Sequence, residues 1–120
     1  MITYNYERVM LSRSDKKAEV RDTYRTRIQF ANGWAVSFVA AADEAGRTIY
    51  SECCRNTSET LPRADGVSVF ATGEFKRVEV AIMNPQNELV PFQSGDTVKG
   101  WVAAQELLGI MKWVSEQPNA

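Results

Sequence analysis

QFANGWAVSF, residues 29–38, sets an Asn-Gly pair between two stretches of alternating side chains, and the register around that pair decides which residues form the core. A two-residue type I′ loop at Asn32-Gly33 would pair Gln29 with Val36 and Arg27 with Phe38. Trp34, Val36 and Phe38 would then share a face with Arg25, Arg27 and Gln29. A three-residue loop, Ala31-Asn32-Gly33, with a type I turn and Gly33 in the left-handed position, pairs Phe30 with Trp34, Ile28 with Val36, Thr26 with Phe38 and Tyr24 with Ala40. One face becomes apolar, and the other carries Arg25, Arg27, Gln29, Ala35, Ser37 and Val39. Because a slip of one residue inverts every side chain, this segregation predicts the three-residue loop. Trp34 then closes the edge of the core across from Phe30.

Outward from the hairpin, residues 43–47 read as a turn before a short strand from Thr48 to about Cys54, and residues 56–65 read as a surface loop. Alternation resumes in GVSVFATGEFKRVEVAIM, with a turn expected at Thr72-Gly73. Val78, Val80 and Ile82 fall on one side, Arg77 and Glu79 on the other. Asn84-Pro85-Gln86-Asn87 has the proline of a type I turn, and ELVPF should return as an edge strand because Pro91 cannot donate to a ladder.

Beyond residue 100 the period becomes helical. Ala103, Ala104, Leu107, Leu108, Ile110, Met111 and Val114 form an apolar face, with Gln105, Gly109, Lys112 and Glu116 opposite and Pro118 as the stop. The charged segment 12–22 reads either as a short helix capped by Ser14 or as a connection. The expected fold is therefore α+β in a single domain: an antiparallel β-sheet of about five to seven strands with one C-terminal helix packed on one face.

Fourteen basic residues stand against 15 acidic ones, so no net field draws the chain to nucleic acid or an anionic membrane, and direct nucleic-acid binding is not expected. No apolar run reaches the roughly 20 residues of a membrane helix, and no targeting segment is expected at the start. Asn56-Thr57-Ser58 fits a glycosylation sequon but reads as a plain surface turn. The chain has no histidine, which removes the usual general base and the commonest metal ligand. Cys53 and Cys54 are too few for a tetrahedral metal site and wrongly spaced for a redox pair. One is expected in the core and the other against a neighbouring strand. No cofactor and no metal are expected.

Arg25 and Arg27, near Arg13, Lys16, Lys17 and Arg21, are candidates for an anion-binding patch, and Lys76 with Arg77 beside Phe75 forms a smaller one. Asp15, Glu19 and Asp22 interrupt the first, and the plain alternative is a solvated face of cross-strand ion pairs. No two acids stand at a spacing that suggests a general acid and base, although a lone carboxylate with a shifted pKa would keep an enzyme open. The helical stripe is wider than one sheet face needs. It leaves Ile110 and Trp113 on its flank as candidate interface residues, fitting a homodimer.

FANGWAVSFV, then EVAIMN, then Gly-Asp and VKGWVAAQELL resemble a pattern of small accessory proteins of tailed bacteriophages. The match spans about half the chain in three blocks: a hairpin, a core strand and a helix start. Ala103-Ala104 departs from it by standing where a Thr-Pro or Ser-Pro-like start is expected, and the segment 44–74 is longer. The resemblance implies a non-catalytic protein of the host cytoplasm that binds and inhibits a host protein, such as a nucleic-acid-guided defence complex, in the anti-CRISPR manner. Two other classes remain: a protein sequestering a nucleotide signal between subunits, and a carboxylate enzyme. An exposed apolar patch, a concave pocket of arginine and tryptophan, or buried unpaired acids would point to each in turn.

Overall fold

The computed structural model describes residues 1–12, 18–43, 48, 50–61 and 68–119, with side chains for 1–7, 22–42, 48, 50–54 and 73–119. Its elements are β1 (Ile2–Ser12), β2 (Ala18–Gln29), β3 (Ala35–Asp43), β4 (Glu52–Leu61), β5 (Ser68–Met83), β6 (Leu89–Val90), β7 (Val98–Ala103) and α1 (Ala104–Ser115). All pairings are antiparallel. The path runs β1-β2-β3-β5-β4, and β6 and β7 also pair with β5. This is the α+β architecture expected: a seven-stranded antiparallel sheet and one C-terminal helix.

The hairpin joining β2 to β3 has the three-residue loop. The Gly33 amide donates to the Phe30 carbonyl at 3.0 Å, the Phe30 amide to the Trp34 carbonyl at 2.8 Å, and Gly33 has φ +88°. Ile28 pairs with Val36, Thr26 with Phe38 and Tyr24 with Ala40. The same loop form recurs twice, at Asn84–Glu88 with Asn87 in the left-handed position (φ 62°) and at Phe92–Asp96 with Gly95 (φ 90°). Asparagine tolerates that conformation better than most residues. The first two loops touch: a Cβ on Gly33 would stand 3.1 Å from the Pro85 Cβ, so the backbone conformation favours glycine there and the space beside it is tight.

The apolar face that this register creates supplies the core. Val36, Val80 and Ile82 from the sheet, Val102 from β7 and Val114 from α1 form the buried cluster, with Phe30, Trp34, Leu107, Ile110 and Met111 packed around it. Val80 is paired on two sides, with Phe38 and with Lys99, and is fully buried. Each such valine contributes roughly 1.5–3 kcal/mol by leaving water.

Elsewhere the chain departs from expectation. Thr72-Gly73 is not a turn: β5 is one strand of 16 residues, with Gly73 opposite Asn56. Asn56–Leu61 is not a loop but the second half of β4, whose polar composition hid a ladder partner lying across a hairpin. The strand expected from Thr48 starts only at Glu52; Thr48 makes an isolated bridge to Ala42, and Tyr50 breaks the run with φ 53°. Cys53 is half-buried and Cys54 exposed, so the second thiol is not packed away. Ser12 ends β1 and residues 18–22 begin β2, so neither is helical; Ser14 and residues 62–65 lie outside the described residues. ELVPF keeps only Leu89–Val90 as strand before Pro91.

Two extra residues alter side-chain parity where β4 meets β5. Glu52 pairs with Arg77 and Cys53 with Phe75, which makes Lys76 a bulge; Cys53 with Phe75 and Arg55 with Glu74 makes Cys54 another. A bulge re-aims the side chains beyond it, and Phe75 therefore joins Val78 on the apolar face. The radius of gyration is 16.4 Å, against roughly 14 Å for a compact chain of this length. Paired strands prolonged beyond the part that α1 covers account for the elongation.

Candidate binding surfaces

The helix is fixed on the sheet by the hairpin turn. The Asn32 Nδ2 donates to the Val114 carbonyl at 2.8 Å and to the Gln117 carbonyl at 2.9 Å, while its Oδ1 accepts from the Trp34 amide at 3.1 Å. The Trp34 Nε1 donates to the Pro118 carbonyl at 3.2 Å. Carbonyls at a helix end lack intrahelical donors, and here the side chains of Asn32 and Gln117 help supply them. Glu106 sits in the first turn, where a negative charge suits the helix dipole, and pairs with Lys99 of β7.

This clasp presents the outer flank of α1. The Trp113 ring stands edge-on to Trp34, with centroids 6.1 Å apart at 88°, and stays 49% exposed. Beside it runs a groove of about 490 Å³. Ile110 and Trp113 form one wall, Pro91 and Phe92 the other, and Ile82 lies at its base. Nothing would meet a Cβ on Gly109, so glycine there leaves the groove open rather than allowing a close contact. Leu108, 62% exposed, continues the apolar surface outward. The two residues singled out from sequence thus lie together, but unequally: Ile110 packs on the core, and Trp113 is the exposed member. The Pro91-Phe92 wall was not foreseen.

The four candidate basic residues divide into two places. Arg25 and Arg27 lie on β2, opposite Val39 and Ser37, on the face away from the helix. Arg27 reaches the Asn87 Oδ1 at 3.4 Å. Lys76 and Arg77 lie on β5, where the Arg77 Nε is 3.4 Å from the Glu52 Oε2. Both clusters face acids: Glu52 at Arg77, and Glu79, which shares the Val39 row with Arg25. Among the described residues no group of three or more Cys, Asp or Glu could hold a metal ion, and no helix is long and apolar enough to cross a membrane.

The Glu79 carboxyl is shifted. Burial pushes its pKa up, and the neighbouring Arg25 partly opposes that. The folded protein therefore holds this proton more tightly than the unfolded chain does. The contribution of Glu79 to stability is full below the ordinary carboxylate pKa and is lost as pH rises through the raised one. Glu79→Gln is expected to flatten this part of the stability curve and to be no less stable than wild type at neutral pH. Urea melts between about pH 4 and pH 8 check it; a variant weakened at neutral pH would mean that the Arg25 attraction outweighs burial.

Comparison with known proteins gives no family for the chain: no family model, no curated protein and no solved structure matches it significantly.

Proposed function

We propose that the protein acts by binding, as a phage accessory protein whose α1 flank docks on a host protein and inhibits it, a nucleic-acid-guided defence complex being the class of target. The observation that carries this reading is the groove itself: a mostly apolar channel, with Gln93 and Glu106 as its polar members, beside a half-exposed tryptophan braced by a second ring. Tryptophans fixed in this way are the usual anchors of protein interfaces. Among the described residues no arginine or lysine lines the groove and Glu106 does, so the phosphate of a nucleotide signal has no counter-charge there, which favours docking over sequestration.

Capture from bacterial lysate on immobilised wild type, Trp113→Glu and the double variant Arg25→Glu/Arg27→Glu tests the reading. A protein retained by the wild type and the arginine variant, and lost with a Trp113→Glu variant of unchanged melting temperature, is the expected result. Retention on Trp113→Glu, or loss with the arginine variant alone, overturns it. The same exposed flank would serve a twofold contact between copies. Sedimentation of wild type beside Trp113→Ala separates the two, since a dimer that dissociates in the variant assigns the flank to self-association.

A further inference from the structure

The helix covers only part of the apolar sheet face. α1 is 12 residues long and packs over Val36, Val80, Ile82 and Val102. Past its reach the same face carries aromatic rings from several strands. Tyr4 of β1, Tyr24 of β2, Phe38 of β3 and Phe75 of β5 surround a hollow of about 370 Å³, a size suited to a small ligand. Tyr24 lies between two further ring contacts, 5.3 Å from Tyr6 and 5.6 Å from Phe75 between centroids. The Tyr6 hydroxyl donates to the buried Asp22 carboxylate at 2.6 Å, which fixes that ring.

Gly73 makes the arrangement feasible. A Cβ there would stand 2.6 Å from the Phe75 ring and 2.8 Å from the Tyr24 ring, so the rings close directly over the glycine backbone. Had the face needed only to stay dry, aliphatic side chains under a longer helix would suffice. The chain instead leaves tyrosines here, with Tyr4 59% exposed.

We propose that this hollow binds an organic ammonium ion, a quaternary or methylated amine whose charge lies against the ring faces of Tyr4, Tyr24, Phe38 and Phe75. Aromatic faces carry partial negative charge, and a methylated ammonium is weakly hydrated, so it gains more from the rings than it loses in water. Among the described residues no lysine or arginine lines the hollow to repel it. Burial first, and then the Asp22 carboxylate beside it, hold the Tyr24 hydroxyl well above the usual phenol range, so the ring stays neutral. Among the described residues the charged group acting on Tyr24 is Asp22, whose sign suits a cation. This site lies apart from the α1 flank and does not depend on it.

The test compares choline with 3,3-dimethylbutan-1-ol, its neutral carbon isostere, by following the ring resonances of Tyr4, Tyr24 and Phe75 in NMR titrations. Choline is expected to bind at least about fivefold more tightly than the isostere, and Phe75→Leu, which keeps the site apolar but removes a ring face, should weaken choline about fivefold while leaving the isostere little changed. Tyr24→Phe, which keeps the ring, should retain choline. Equal binding of choline and the isostere would show that the hollow reads apolar shape alone. Absence of ring shifts with either ligand, or tighter binding of a neutral nucleoside than of choline, would likewise overturn the proposal.

Discussion

Trp34→Ala is expected to cost roughly 3 kcal/mol of folding stability, the low end of the range for removing a large ring from a core. The ring is half-buried, packs on the Val36, Val80 and Val114 cluster, and braces Trp113 from below. Its Nε1 also holds the Pro118 carbonyl, a tie on the chain leaving α1. Truncation would therefore empty a space between hairpin and helix and release the helix end together. Chemical denaturation measures the loss, and the near-ultraviolet circular dichroism of the remaining tryptophans should fall with it. A cost under about 1 kcal/mol would mean that the ring is surface decoration and that the helix is held elsewhere.

Asn32→Ala is expected to cost about 2–3 kcal/mol, at about 1 kcal/mol for each of three hydrogen bonds. Asn32→Asp sharpens the point. It keeps an acceptor for the Trp34 amide and suits the turn, yet it loses both donors and puts negative charge against the carbonyl end of a helix, which the dipole disfavours. It should be at least as damaging as alanine. Amide hydrogen exchange is expected to quicken first in the last turn of α1 in both variants. Exchange that quickens only in the hairpin would show that Asn32 shapes its own turn and does not hold the helix.

The hairpin register was legible because two independent constraints met between residues 24 and 40: turn chemistry allowed two loops, and alternation chose between them. The same holds for Asn84–Asn87, where proline and a left-handed asparagine stand at fixed offsets. The helix announced itself by its period. The features that the local sequence hides depend on distant partners. The carbonyls that Asn32 holds lie 82 and 85 residues along the chain, so nothing local marks that asparagine as more than a turn residue. Gly73 reads as a turn because glycine weakens strands, and only the rings of Tyr24 and Phe75 folding over it explain its place inside one. Phe75 and Val78, three residues apart, share a face only because Lys76 is a bulge, which no period of two foresees. β1 and the start of β2 were hidden by charge: Glu7, Arg8, Glu19, Arg21 and Asp22 occupy both parities of strands that pair over eleven positions.

Of the candidate sites, the α1 flank was legible in part. A stripe too wide for one sheet face pointed to Ile110 and Trp113, but the opposing wall of Pro91 and Phe92 depends on where a two-residue strand sets the loop after it. The basic residues were legible as a strand face with cross-strand acids, but the acids' identity was not, because Glu52 and Glu79 come from β4 and β5.

The proposed docking groove rests on the hairpin's clasp of α1, which presents the helix flank. Amide hydrogen exchange on the captured complex, compared with the protein alone, tests it most directly. Added protection is expected at residues 89–93 and along 106–113, with the amides around Arg25 and Arg27 unchanged. Protection centred on β2, with α1 exchanging as it does in the unbound protein, would contradict the account.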